Sequence, residues 1–162
     1  MVRHALQAHP DAESVDEKQD RQLIELLNEL RVALPGVQML LAFMLIVPFS
    51  QRFAELSDRQ RDLFYVSFVS TALATICFIT PASFHRIIWE RGMKGRLLHV
   101  SSNLVIAGTV FLGVAITCVA ALLTSFLYSS GVAIAVSAGI AAAIVVLWYA
   151  APLWLRMRHR RR

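Results

Sequence analysis

One tract of the chain limits its fold more than any other feature. From Leu97 to Leu155 the sequence contains 59 consecutive residues without Asp, Glu, Lys or Arg. About 20 apolar residues in an α-helix cross the hydrocarbon core of a bilayer, so a tract of this length is long enough for two spans. Hydrophobic residues make up 57% of the whole chain, which is more than a soluble domain usually contains. The composition therefore predicts an integral membrane protein.

Two further apolar runs precede this tract, so the sequence predicts four spans in all. The predicted boundaries are residues 37–53, 63–82, 98–124 and 131–155. Because the links between these spans are short, neighbouring spans are expected to run antiparallel. The predicted fold is therefore all-α, an integral membrane four-helix up-down bundle preceded by an amphipathic cytoplasmic helix.

The segments outside the spans are polar. We expect a disordered tail at residues 1–13, the amphipathic helix at 14–34, the membrane domain at 35–155 and a basic cytoplasmic tail at 156–162. Leucines recur at helical spacing in the amphipathic helix, so its apolar stripe lies either on the membrane surface or against the bundle. Pro35 and Gly36 then predict a kink, because proline removes a backbone donor from a helix.

The basic residues predict how the chain is oriented. Thirteen of the 16 Lys and Arg residues fall in the N-terminal segment, the second link and the C-terminus, and the other three lie in or next to the first link. The positive-inside rule therefore predicts that both termini are cytoplasmic, in a plasma membrane. The basic C-terminus directly follows a span, so we expect it to bind anionic lipid rather than nucleic acid.

A ridge of small residues is repeated along the fourth predicted span. Gly131, Ala135, Gly139 and Ala143 recur every four residues. Membrane helices associate closely where small residues let their backbones approach, so this ridge predicts helix packing. Its partner is either the third span of the same chain or another subunit, and we expect a homo-oligomer.

Polar residues also occur inside the predicted spans. Ser67, Thr71 and Thr75 share one helix face, and their hydroxyls either line a polar path or bond carbonyls of their own helix. The third span opens with His99, Ser101 and Asn103, where His99 and Asn103 are one turn apart. The residues that we assign to a candidate polar path are Gln38, Ser67, Thr71, Thr75, His99 and Asn103.

Charged groups are expected to meet on the cytoplasmic side. Glu25, Glu29 and Arg31 precede the kink, and His85 and Arg86 follow the second span, at the same predicted membrane level. A carboxylate of the first helix can therefore pair with Arg86, as a structural clasp or as a cytoplasmic gate. Two histidines, His85 and His99, without a nearby carboxylate or thiol do not predict a metal site.

Motifs for catalysis are missing from the sequence. There is no nucleophile elbow, zinc-binding His-Glu-x-x-His, P-loop or dinucleotide fingerprint. Cys77 and Cys118 lie in apolar runs without paired spacing, so we expect buried core residues rather than a redox pair. None of the 27 charged residues falls deep in a predicted span, although ion-coupled transporters usually carry such a group. We expect no enzyme activity and no cofactor.

Three stretches of the sequence resemble one known family. They are residues 25–38 (ELLNELRVALPGVQ), residues 48–53 (PFSQRF) and the Phe-His-Arg of residues 84–86. They look like a family of small actinobacterial four-span membrane proteins without an established function, some members of which carry the label sodium/proton antiporter. The resemblance extends over roughly residues 20–100 and implies no role for any one side chain. The residues that match the family pattern are Glu25, Glu29, Arg31, Pro35, Gln38, Gln51, Arg52, His85 and Arg86.

Two functions follow from these features as expectations. The first is an oligomeric channel or transport protein for an ion or small solute, with the Glu29, His85 and Arg86 layer as its gate. The alternative is a non-catalytic scaffold or accessory subunit of a larger membrane complex. The hydroxyl face favours the first function, and the lack of any reactive group favours the second.

Overall fold

The computed structural model describes residues 15–88 and 94–159, and this part of the chain is all-helical. These described residues form five α-helices. Two 3-10 turns, Val47–Phe49 and Gln51–Glu55, separate the first two helices, and a π-helical segment, Val145–Ala150, joins the last two. The helices are α1 (Val15–Ile46), α2 (Asp58–Ile88), α3 (Lys94–Leu127), α4 (Ser130–Ile144) and α5 (Ala151–His159).

Four segments of the described helices are long and apolar enough to cross a membrane. They are Ile24–Phe49, Asp58–Phe84, His99–Leu127 and Ser130–Arg158. The last of them runs through α4, the π-helical segment and α5. The prediction of four long apolar helices is therefore confirmed. The first span begins 13 residues earlier than predicted, so the acidic segment belongs to the same helix as the span.

Helix α1 continues through Pro35 and Gly36, where the sequence predicts a kink. Proline removes one hydrogen bond from a helix, but apolar contacts on both sides of Pro35 hold the helix against α2. Leu30 precedes Pro35 and Val37 follows it, and both are buried in one cluster with Ala74 and Phe78 of α2. Packing against α2 therefore outweighs the local effect of the proline.

The core lies between α1, α2 and α3. One cluster joins Leu30 and Val37 of α1 to Phe78 of α2, and a second joins Met44 of α1 to Phe64 of α2. Early α1 therefore meets late α2, and late α1 meets early α2, so the two helices run in opposite directions. Leu26 and Leu34 pack against the first cluster. The apolar stripe of the amphipathic segment is thus used against the bundle rather than left for the membrane surface.

Helix α4 is not part of this core. In residues 15–88 and 94–159 it packs against α3 and makes no packing contact with α1 or α2, and α5 packs only against the π-helical segment. The prediction of a four-helix bundle is therefore corrected to a three-helix core with a fourth span at its side. In a closed four-helix bundle, α4 would also pack against α1. Here a short link follows α3, and among the described core helices α4 packs beside α3 alone.

Glycines bring α3 close to both of its neighbours. A Cβ atom at Gly108 would lie 2.5 Å from Cε1 of Phe78 and 3.1 Å from Cβ of Cys77, both on α2. A Cβ atom at Gly113 would lie 3.1 Å from Cγ2 of Ile144 on α4. Close approach of helix backbones at small residues is how membrane helices gain van der Waals contact. Helix α3 is therefore the central element of the fold.

Candidate functional site

The predicted hydroxyl face of α2 is buried in the core. Ser67 and Thr71 are 0% exposed, and Thr75 is half-buried. Thr71 donates to the carbonyl of Ser67 at 2.8 Å, and Thr75 donates to the carbonyl of Thr71 at 2.8 Å. Ser67 reaches across to α3 and donates to the carbonyl of Ala115 at 3.1 Å. These three hydroxyls are engaged in helix contacts, and no open space adjoins Ser67 or Thr71.

At the polar start of α3, some side chains are buried in the core and others are exposed. Ser101 is 0% exposed, and its hydroxyl has no hydrogen-bond partner among the described residues. His99 and Asn103, two residues to either side of it, are exposed. Gln38 of α1, the remaining residue of the predicted path, is exposed as well. The structure therefore does not bring the six residues of the predicted path together in one chain.

The predicted cytoplasmic cluster is described only in part. Glu25, Glu29 and Arg31 are exposed on α1, at the beginning of the first candidate span. His85 and Arg86 belong to the last turn of α2, but their side chains lie outside the described residues. Pairing across this layer therefore stays a prediction. In the described part of the chain, no three His, Cys, Asp or Glu residues form a group that could hold a metal ion.

The small-residue ridge of α4 faces away from the rest of the chain. Gly131, Ala135, Gly139 and Ala143 are all exposed. No atom lies within 4 Å of a Cβ atom built on Gly131 or on Gly139. The opposite side of α4 packs on α3, with Ala133 buried. Of the two partners left open by the sequence, the third span is thus excluded for this ridge, because that span contacts the other face of α4.

An apolar groove separates α3 from the C-terminal half of the fourth span. We call it the α3–α4 groove. It has a volume of about 290 Å³ and is open along one side. Six of its lining residues are Val110, Gly113 and Val114 of α3, Ala141 of α4, and Val145 and Tyr149 of the π-helical segment. No sequence signal predicts this groove, because none of these residues is unusual in a membrane span.

A hydrogen bond joins the two walls at one end of the α3–α4 groove. The Thr109 hydroxyl donates to the Ile106 carbonyl at 2.8 Å and lies 2.9 Å from the Tyr149 hydroxyl. A threonine hydroxyl has one hydrogen, so Tyr149 is the donor to Thr109. The π-helical segment makes no backbone-level packing contact with α3 in the described residues. This side-chain bond connects the segment to α3.

At the other end of the bundle, the first link and the start of α2 contact each other and the end of α3. Gln60 at the start of α2 donates through Nε2 to the Ser125 hydroxyl at 3.3 Å. The Arg52 guanidinium lies 5.9 Å from the centroid of the Phe126 ring. Phe53 and Phe64 pack edge to face with their centroids 5.2 Å apart. These contacts connect the first link to the end of α3, and they explain Arg52 as a structural residue.

Comparison with known proteins identifies a family but no characterised relative. The model of a family of unknown function, DUF6328, matches residues 12–152. No curated protein and no solved structure gave a match.

Proposed function

We propose that this chain, which belongs to the family of unknown function DUF6328, is a non-catalytic membrane subunit. It assembles with further copies of itself through the outward face of α4. One observation carries this proposal. The ridge of Gly131, Ala135, Gly139 and Ala143 is exposed, although such a ridge is suited to close helix packing. The fourth span has only α3 as a neighbour in the described chain.

The orientation in the membrane is part of the proposal. The four spans cross the plasma membrane of a bacterium in up-down order, with both termini cytoplasmic. The distribution of Lys and Arg supports this orientation, because the first link carries so few of them. Glu25 and Glu29 then lie at the cytoplasmic surface, at the level of His85 and Arg86. We expect a clasp between them that holds α1 to the end of α2.

The closed interior supports a structural role over transport within one chain. Ser67 and Thr71 are buried and hydrogen-bonded, and Phe78 beside them is 1% exposed. Water or an ion passing along this face would have to displace packed side chains, and protein interiors are too densely packed for that. The Ser67 hydroxyl acts instead as a polar contact between α2 and α3, and such contacts in membranes contribute about 0.6 kcal/mol on average. The Thr71 hydroxyl bonds a carbonyl of its own helix.

Leucine substitutions on the ridge test the assembly. Gly139→Leu places a large side chain on the ridge, where no atom lies within 4 Å of the added Cβ in the single chain. The monomer is therefore expected to fold, and the assembly to dissociate. The matched control is Gly36→Leu on α1, because an added Cβ there also meets nothing within 4 Å. Both variants replace glycine in a helix by a better helix former.

The measurement is the mass of the purified protein in detergent and its cross-linking in native membranes. We expect an oligomer for the unmodified chain and for Gly36→Leu, and a monomer for Gly139→Leu. A monomeric unmodified chain would refute the proposal. An oligomer that survives Gly139→Leu but is lost with Gly36→Leu would move the interface to α1 and contradict the role of α4.

A channel between subunits is a second candidate, and one observation favours it. Gln38 and Asn103 are exposed within candidate spans, and neither side chain forms a hydrogen bond with another described residue. Polar side chains that face lipid without a partner are costly, so they usually face another helix or a water-filled path. Flux through reconstituted protein, lowered by Asn103→Leu and kept by Val110→Leu, is the expected result for such a channel. If no flux is measured at any voltage or pH, only the structural role remains.

A further inference from the structure

We propose that the α3–α4 groove and Arg156 together bind one anionic phospholipid of the cytoplasmic leaflet, with an acyl chain in the groove and the phosphate at the guanidinium. This lipid site lies on a different face of the fourth span from the small-residue ridge. It stands whether or not the chain assembles through that ridge, and only its placement in the cytoplasmic leaflet relies on the proposed orientation.

The chemistry of the groove matches an acyl chain. Its walls are apolar side chains with one thiol, that of Cys118, and its two hydroxyl groups are already hydrogen-bonded. The Thr117 hydroxyl donates to the Gly113 carbonyl at 2.8 Å, and the Tyr149 hydroxyl is bonded to Thr109. Gly113 contributes no side chain, so the groove can approach the backbone of α3 there. A ligand in this space therefore gains apolar contact and finds no free polar partner.

The size of the groove favours an acyl chain over a helix from a second copy. An α-helix is about 10–12 Å across, so even two turns of helix, about 11 Å long, occupy on the order of 1,000 Å³. The groove holds about 290 Å³. A flexible hydrocarbon chain fits such a space, and it can enter through the open side from the surrounding bilayer.

The distance along the fourth span from the groove to the nearest cation matches the thickness of one leaflet. Arg156 follows Tyr149 by seven residues, which is two helical turns, so both lie on about the same side of the helix. From Ala141 to Arg156 the rise is about 22 Å at ~1.5 Å per residue. One leaflet with its headgroups is roughly 20–22 Å thick. A phosphate at Arg156 therefore places its acyl chains beside the groove.

Charge complementarity selects an anionic headgroup. Arg156 is exposed on α5, and no described side chain forms an ion pair with it. Arg158 is engaged differently, since its Cζ lies 4.0 Å from the centroid of the Trp154 ring. Helix α5 makes no packing contact with α1, α2 or α3 in the described residues. Among the described residues, none therefore closes the space beside Arg156 to a lipid headgroup.

Native mass spectrometry of the full chain in detergent tests the site. The probes are phosphatidylglycerol and phosphatidylcholine with identical acyl chains, and glycerol 3-phosphate as a soluble headgroup. We expect one phosphatidylglycerol retained per chain, at least tenfold more occupancy than with phosphatidylcholine, and no competition by glycerol 3-phosphate. Full competition by the soluble headgroup would overturn the acyl-chain part of the proposal, and equal retention of phosphatidylcholine would overturn the role of charge.

Two pairs of variants locate the site. Ala141→Phe fills the groove and should lower phosphatidylglycerol retention by tenfold or more, whereas Ala142→Phe adds the same volume outside the groove lining and should leave it unchanged. Arg156→Gln should lower retention roughly fivefold, which is the contribution expected of one cation at a membrane surface. Arg158→Gln removes the same charge from the other side of α5 and should have a smaller effect.

These pairs also keep the test independent of folding. Arg156 is exposed and contacts no described helix other than its own, so Arg156→Gln cannot act by unfolding the bundle. Equal losses with Arg156→Gln and Arg158→Gln would show only diffuse attraction to the basic tail and would overturn the site. Equal retention by Ala141→Phe and Ala142→Phe would overturn the groove as its acyl-chain half.

Discussion

At the scale of single residues, the missing side chain of Gly108 sets how closely α2 and α3 approach. Phe78 occupies the space that a Cβ atom would need, and it is one of the most deeply buried side chains of the protein. The sequence places Gly108 in a span but does not indicate which of the seven glycines of the chain is essential. Only the packing distinguishes Gly108 from Gly36, which meets nothing within 4 Å.

Gly108→Ala is expected to destabilise the bundle. Its Cβ would lie 2.5 Å from a ring carbon of Phe78, and overpacking of a core costs about 1–3 kcal/mol. That cost exceeds the ~1 kcal/mol that alanine gains over glycine in a helix. Unfolding in detergent, followed by circular dichroism, measures the difference.

Gly36→Ala is the matched control, and it should keep or raise the stability because it gains helix propensity without a clash. Phe78→Leu in the Gly108→Ala background should recover part of the loss. If Gly108→Ala and Gly36→Ala unfold alike, the close approach of α2 and α3 is not as tight as the structure has it.

At the scale of elements, α1 and the fourth span depart from what their sequences predict. Pro35 lies in the middle of α1 without ending it, because Leu30 and Val37 pack on the same cluster. The fourth span changes to π-helical geometry at Val145–Ala150. This wider turn contains Tyr149, whose hydroxyl bonds to Thr109. Neither feature has a local sequence signal, since both depend on a partner on another helix.

Tyr149→Phe is expected to loosen the C-terminal half of the fourth span. It removes the side-chain bond between the π-helical segment and α3, which contributes about 0.6 kcal/mol if it is typical of membrane helices. Local opening should then be roughly threefold more frequent. Hydrogen exchange of the amides of residues 145–150, measured by mass spectrometry, reports this opening. Tyr65→Phe is the control, because Tyr65 is exposed on α2, and it should leave exchange unchanged.

At the scale of the whole molecule, the three-helix core and the lateral fourth span determine which surfaces remain for partners. The core buries the hydroxyls of Ser67, Ser70, Thr71 and Ser101, whereas Gln38, His99 and Asn103 lie on the outside. The fourth span offers its ridge on one face and the α3–α4 groove on another. Both the proposed assembly and the proposed lipid binding therefore use this span, which is the least buried of the four.

Cysteine labelling is expected to place both termini in the cytoplasm. In a variant without the two native cysteines, Ser57→Cys and Ser129→Cys lie in the first and third links and should react with an impermeant maleimide on intact cells. Gln22→Cys and Met157→Cys should react only after lysis. All four positions are exposed. The physical reason is the excess of Lys and Arg beside residues 22 and 157. The reverse labelling pattern would show the opposite orientation.

The sequence by itself determined the number of long apolar helices and the positions of three of them within a few residues, because spanning a bilayer requires length and apolarity. Of the two roles that the sequence left open for the Thr71 and Thr75 hydroxyls, the structure shows bonds within their own helix. Only the tertiary structure decided which face of each helix is inside. Lipid and protein core are equally apolar, so hydrophobic periodicity, which separates core from surface in water, is weak here. For that reason the lateral position of α4, the burial of Ser101 beside exposed Asn103, and the α3–α4 groove emerged only from the packing.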